Sequence, residues 1–269
     1  MNLKNIKLVV SDMDGTLLNS KGKVSRRFFD IFKELQAQNI TFCAASGRQH
    51  DSIVEKLKPI KDHIFVVAEN GGIATKGKDI LLEKVLSPSN IKEVIPIVRT
   101  IEKTHLVLCG KNGAYIESDD EEFITLFQEY YSNFFKVDDL TNALERTTFF
   151  KMAIYHRISS EKFLYPKLKH LEKDFLLKIS SPNWLDISNK QTNKGNALQV
   201  VQQQLNIPKE DTLVFGDYHN DIEMMQQSGI SVAMKNAHQD IKELATITTE
   251  SNDNYGVESI LEQLLACRK

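Results

Sequence analysis

A chain whose first apolar run stops dead at two aspartates has few folds open to it. Between Lys4 and Leu18, the residues Ile6, Leu8, Val9 and Val10 form a run short enough for one buried strand of a parallel sheet. Asp12-Met13-Asp14-Gly15-Thr16 follows at once. In open α/β sheets the ligand crevice lies just beyond the carboxyl ends of the strands, so both acids would face it. Two carboxylates that close need a cation or a shared proton. The plain alternative is a turn whose aspartates cap the next segment.

The rest of the chain decides between these readings. Ser25 is placed to cap a helix reaching Gln38, with Phe28, Phe29, Ile31, Phe32 and Leu35 as its apolar face. A second strand, Ile40–Ala44, runs into Ser46-Gly47-Arg48; a helix over His50–Leu57 and a third strand, Ile64–Ala68, end in Glu69-Asn70-Gly71-Gly72. Repeated βα steps of this kind predict a doubly wound parallel sheet, an α/β fold. Between about Leu82 and Ile187 the pattern changes to neighbouring strands with interspersed helices. These are a helix over Ser89–Lys103 bent at Pro96, strands at His105–Cys109, Gly113–Ile116 and Thr148–Arg157, and helices at Asp119–Tyr130 and Ser160–Glu172. The segment closes with strands at Phe175–Ser180 and Trp184–Ser188. Doubly wound patterning then resumes with a helix from Lys194 and the strand Thr212–Phe215. The organisation expected is a discontinuous Rossmann-like core, 1–82 and 188–269, interrupted by an inserted α+β domain, 83–187, with an antiparallel sheet.

Three further polar clusters fall where strands end or helices begin. Ser46 and Gly47 offer a hydroxyl and a close-approaching backbone N–H, both suitable donors for phosphate oxygens. Lys194 sits in the first turn of a helix, where the dipole favours anions, so a compensating phosphate or carboxylate is expected beside it; the alternative is a solvated surface lysine. Gly216-Asp217-Tyr218-His219-Asn220-Asp221 supplies a second set of hard oxygen donors, suited to Mg²⁺ with water and substrate phosphate completing the shell. Asp217 reads as a direct ligand, and Asp221 as a ligand or as a residue orienting one.

Order and placement of these four pieces resemble the haloacid dehalogenase-like (HAD) phosphohydrolases, and the mid-chain insert resembles the large α/β cap of their Cof-like subfamily (IIB). The resemblance runs over essentially the whole chain, and Tyr218-His219 is bulkier than what many members carry there. It implies a phosphatase, a phosphoric monoester hydrolase, acting on a small phosphorylated metabolite such as a sugar phosphate, nucleotide or cofactor phosphate. Asp12 is then the nucleophile that becomes an aspartyl phosphate, and Asp14 the general acid and base. Asp12, Asp14 through its carbonyl, Asp217 and, directly or indirectly, Asp221 hold Mg²⁺, while Ser46, Gly47, Lys194 and Asn220 grip the phosphoryl oxygens. Arg48, Asn70, Trp184 and His219 are candidates for lining the substrate, although the packed interior of the insert is the better place for Trp184. A phosphotransferase or phosphomutase of the same superfamily uses the same motifs, and a non-catalytic sensor of a phosphometabolite would be expected to lack Asp14.

Composition excludes other classes. A net charge of −2 with acids and bases interspersed gives no basic field for nucleic acid or anionic membrane. Three scattered cysteines, Cys43, Cys109 and Cys267, suit neither a disulfide framework nor a zinc site. No apolar run approaches membrane-spanning length and the start carries no secretory pattern. A cytoplasmic monomer or weak homodimer is expected.

Overall fold

A computed structural model describes residues 3–131 and 133–268. They group into two compact units: one holds the chain up to residue 46, 53–82 and everything from 193, the other 47–52 and 83–192. Residues 47–52 and 188–192, read from sequence with the core, thus group with the second unit.

Strands β1 (Leu8–Ser11), β2 (Thr41–Ala45), β3 (Phe65–Ala68), β4 (Ile73–Lys76) and β5 (Asp79–Glu83) come first along the chain. Then follow β6 (Thr104–Gly110), β7 (Gly113–Ile116), β8 (Phe134–Lys136), β9 (Phe149–His156), β10 (Phe175–Ile179) and β11 (Trp184–Asn189). The last three are β12 (Thr212–Gly216), β13 (Ile230–Ala233) and β14 (Ile247–Thr248).

The first unit is built on a sheet of order β14-β13-β12-β1-β2-β3-β4-β5. From β14 to β3 every pairing is parallel, and β4 returns antiparallel to β3. Every residue of β1, β3 and β12 is buried, as a parallel sheet covered by helices on both faces requires. Helix 26–37 shows how the cover forms. Ser25 Oγ accepts the Phe28 N–H at 3.0 Å and caps the helix, and Phe28, Ile31, Phe32 and Leu35 fall on one face at helical spacing. Phe28 meets Phe42 of β2 edge-on at 5.1 Å, and each such side chain contributes about 1.5–3 kcal/mol by burial. The register Ser11↔Phe215 and Ser11↔Ala44 brings the ends of β12, β1 and β2 level. Asp12, Ser46 and Asp217, each just past its strand, therefore emerge along one edge of the sheet.

The second unit has a six-stranded sheet of order β10-β11-β9-β6-β7-β8. Its pairings are antiparallel except the last, where β8 runs parallel to β7. That departs from the expected antiparallel sheet. The reason is the helix Glu121–Gln128, which makes the link from β7 to β8 a crossover long enough for parallel pairing. The helix expected over 160–172 is broken into 160–163, 165–168 and a 3₁₀ stretch, 169–173, with Pro166, which has no N–H to continue the ladder, opening the second piece. Helix 88–99 carries Pro96 inside it and stops four residues short of the expected end. Among the described residues no helix is long and apolar enough to cross a membrane.

Candidate active site

Asp12 is the first residue past β1, still tied to the sheet by its N–H to Phe215 C=O at 3.1 Å. Its carboxylate is buried, and Lys194 Nζ donates to its Oδ1 at 2.5 Å. Lys194 opens helix 194–205, whose N-cap is Asn193, and no part of its side chain reaches solvent. The ammonium donates to Asp221 Oδ1 as well, at 2.7 Å. The anion demanded by a lysine at a helix start is thus a pair of carboxylates, and the surface-lysine alternative is excluded.

Asp217 follows β12 and approaches the loop after β1 closely. Thr16 Oγ1 donates to its Oδ1 at 3.0 Å. Gly15 has φ +75°, and a Cβ there would sit 2.3 Å from Asp217 Oδ2. Only glycine allows both that backbone and that approach. Asp12, Asp217 and Asp221 present carboxylate oxygens within 4.8 Å of one another. Asp14, exposed at the rim, contributes its charge to both Asp12 and Asp217.

Crowding of this kind changes the chemistry of the acids. Burial pushes the Asp12 carboxyl well above its ordinary value; Lys194 opposes that, while Asp221, Asp217 and Asp14 add to it. Asp217 rises to about 7, through burial first and then the charge of Asp221. Burial by itself would depress the Lys194 ammonium, but Asp12 and Asp221 outweigh it and hold its pKa above the usual lysine value. One lysine among these acids leaves a buried surplus of negative charge, lined by hard oxygen donors. A divalent cation such as Mg²⁺ fits such a set.

Asp221 is fully committed to protein partners. Its Oδ1 takes Lys194, and its Oδ2 accepts the N–H groups of Asp217 at 2.9 Å and Tyr218 at 3.2 Å. Asn220, beside it, donates from Nδ2 to Asn70 Oδ1 at 3.0 Å, and Asn70 N–H donates to Ser46 C=O at 3.0 Å. Ser46 itself is buried.

The remaining candidates have other partners. His219 turns away to Asp240, with 2.9 Å between Nε2 and Oδ2, and its ring lies 4.3 Å from that of His238. Gly47, Arg48 and Trp184 group with the second unit. Gly47 C=O accepts from Lys151 Nζ at 2.8 Å, and the Arg48 guanidinium reaches Ser52 Oγ at 3.3 Å and stands 5.9 Å over the Tyr130 ring. Trp184 is buried in an aromatic cluster with Phe123, Tyr130, Tyr131 and Tyr155, the nearest ring centroid at 5.2 Å, so it serves the packed interior of that unit.

Two features escaped the sequence reading. Thr16, which holds Asp217, was signalled only by its place directly after the aspartate pair. Lys151 and Asp186, which pair at 3.2 Å while buried in β9 and β11, were each signalled by a charge in the middle of an apolar strand.

A family model described as haloacid dehalogenase-like hydrolase matches residues 9–261. The chain is 32% identical over 269 residues to the 5-amino-6-(5-phospho-D-ribitylamino)uracil phosphatase YbjI of Escherichia coli (strain K12), covering 97% of each. Among solved structures it is similar to SMU.1108c from Streptococcus mutans UA159, with TM-score 0.89, 27% identity and coverage of 97% of this chain and 99% of that one. The fold also recurs in the HAD subclass IIB sugar phosphatase BT4131, with TM-score 0.83, 19% identity and coverage of 96% and 98%.

Proposed function

We propose that this chain, which belongs to the haloacid dehalogenase-like hydrolases and is a phosphatase, acts on a small phosphorylated metabolite as their Cof-like branch does, and that it hydrolyses the monoester through an aspartyl phosphate on Asp12 with Mg²⁺ as cofactor. The observation that carries this reading is the buried Asp12 carboxylate, held on one oxygen by Lys194 and crowded by Asp217 and Asp221. With Oδ1 fixed, Oδ2 is the oxygen that attacks phosphorus. The P–O bond to the leaving group breaks as the Asp12–P bond forms, and Asp14 gives its proton to the departing alkoxide. Asp14 then takes a proton from the water that attacks the aspartyl phosphate, releasing inorganic phosphate and restoring Asp12. Ser46, Asn220 and the Lys194 ammonium stabilise charge on the phosphoryl oxygens. Asp12, Asp217 and the Asp14 carbonyl would hold Mg²⁺, which supplies charge neutralisation between nucleophile and phosphoryl group. Asp221, with both oxygens engaged, orients Lys194 and the Asp217 backbone rather than binding the ion.

We assign choice of leaving group to the insert, residues 83–187. A sugar phosphate, a nucleotide or a cofactor phosphate fits this reading, and the ribitylaminouracil phosphate named for the Escherichia coli relative belongs in the first panel. The test is phosphate release from such a panel before and after exhaustive chelation. Release that stops with the chelator, returns with Mg²⁺ and fails to return with Ca²⁺ supports the reading, because Ca²⁺ takes more ligands at longer distances. Undiminished release after chelation rejects the metal site.

A further inference from the structure

Along the sheet edge that carries the site, one turn has a backbone that most side chains avoid. Glu69, Asn70 and Gly71 have φ of 52°, 54° and 95°, three successive residues in the left-handed region. Asparagine and glycine accept that region; for glutamate it is strained. Strain that persists at such a place points towards function.

The turn touches each of the elements that bring a phosphate-gripping group. Asn70 N–H donates to Ser46 C=O at 3.0 Å, and Asn70 Oδ1 accepts from Asn220 Nδ2 at 3.0 Å. Gly71 lies flat on the start of helix 194–205: a Cβ there would stand 2.2 Å from Asn193 C=O and 3.1 Å from the Lys194 nitrogen. Ser46, Lys194 and Asn220 come from three places in the chain, 148 residues apart between Ser46 and Lys194 by numbering, and the 69–71 turn meets all three elements.

We infer that Asn70 is a positioning residue, which orients the Asn220 amide, and with it the phosphate cradle, through the Asn70 Oδ1···Asn220 Nδ2 hydrogen bond. The inference rests on the proposed role of Asn220 as a phosphate donor. An amide nitrogen carries two hydrogens. With one committed to Asn70, the rotation of the side chain is fixed and the second has a set direction for a phosphoryl oxygen. Sequence alone suggested that Asn70 lines the substrate; the geometry gives it a different task, performed one residue back from the ligand. The left-handed backbone is what aims the Asn70 N–H and its side chain at two separate neighbours.

Asn70→Gly tests this, because glycine keeps the left-handed backbone and the N–H to Ser46 while removing Oδ1. A thermal melt first verifies that the variant is folded, with a melting temperature close to that of the parent. The measurements are kcat/KM for p-nitrophenyl phosphate and the inhibition constant of inorganic phosphate, in a double-mutant cycle with Asn220→Ala. We expect Asn70→Gly to lower kcat/KM about tenfold and to weaken phosphate inhibition by a similar factor, the size of one well-oriented hydrogen bond. We expect the double variant to be no worse than Asn220→Ala alone, since Asn70 acts only through that amide. Losses that multiply would overturn the inference and leave the phosphate role of Asn220 standing. An Asn220→Ala protein with parental phosphate inhibition would reject that role, and the inference with it. Parental kinetics in Asn70→Gly would reject the inference alone.

Discussion

Among the described residues, each unit of the molecule buries a lysine against aspartate, and the two sites differ in a way that separates chemistry from architecture. In the second unit Lys151 meets Asp186 at 3.2 Å and gives a further hydrogen bond to Gly47 C=O. The two side chains come from neighbouring antiparallel strands. In the first unit Lys194 meets Asp12 at 2.5 Å and Asp221 at 2.7 Å, with Asp217 within ligand distance of both acids. A matched pair can be a fixture of a fold. An unmatched surplus of buried negative charge is costly by itself, and a set of hard carboxylate oxygens such as Asp12, Asp217 and Asp221 is one that a divalent cation fits.

The comparison breaks most visibly if each lysine is removed. Lys194→Met leaves two buried carboxylates without their cation, so we expect a loss of about 3–5 kcal/mol in stability together with phosphatase activity. Replacing Asp221 by leucine in the same protein should not rescue it, since Asp12 remains unmatched. Lys151→Met should cost a comparable amount, toward the lower end of that range, yet Lys151→Met/Asp186→Leu should recover most of it, because a well-packed apolar pair replaces a matched ion pair at little cost. Chemical denaturation of the four proteins checks both statements. Equal rescue in the two units would erase the distinction.

Asp12→Asn sharpens the contrast within the first unit. The amide is nearly isosteric and relieves repulsion, so the melting temperature should hold, but it cannot attack phosphorus. We expect kcat to fall more than a hundredfold, above about 2.7 kcal/mol at ~1.36 kcal/mol per decade. Steady-state phosphate release measures it, and a fall of less than that removes Asp12 as nucleophile.

The smallest effect is in the pH dependence of the metal-free protein. Asp12 and Asp217 are held above the ordinary carboxylate value of 3.8, Asp217 at about 7, by burial first and neighbouring carboxylates second. Raised folded-state values mean that the folded protein binds more protons than the unfolded chain between about pH 4 and 7. The stabilisation this gives is complete below the unfolded pKa and is lost as pH rises through the folded one. Metal-free protein should therefore melt at a lower temperature at pH 8 than at pH 6, and Mg²⁺, which favours the charged acids, should narrow the gap. A melting temperature that rises between those pH values would contradict the charge surplus.

The contrast also explains what could be read from sequence. A carboxylate at the end of a buried strand is expensive, so Asp12 and Asp217 stood out against their apolar runs, and the doubly wound fold followed from those same runs. Contacts made by side chains from distant segments left no such trace. Asn70 and Asn220 are 150 positions apart, and nothing local in either says that they bond. The engagement of both Asp221 oxygens depends on where Lys194 lands, which only the packed fold decides. In the second unit β8 is three residues with no alternating pattern, and its parallel pairing depends on the crossover before it. Pro166 was visible, but whether it kinks or breaks a helix is set by how the following turn packs.

The central claim is that Asp12 carries the phosphoryl group, and the most direct measurement is to stop the reaction there. In Asp14→Asn, p-nitrophenyl phosphate needs no proton for its leaving group, while the water that must clear the aspartyl phosphate has lost its base. Rapid mixing should give a burst of about one p-nitrophenolate per protein, and acid quenching followed by mass spectrometry should find one phosphoryl group on the peptide containing Asp12. A burst with the phosphoryl group on any other residue, or steady release of phosphate with no burst in a variant that still turns over, would contradict the assignment.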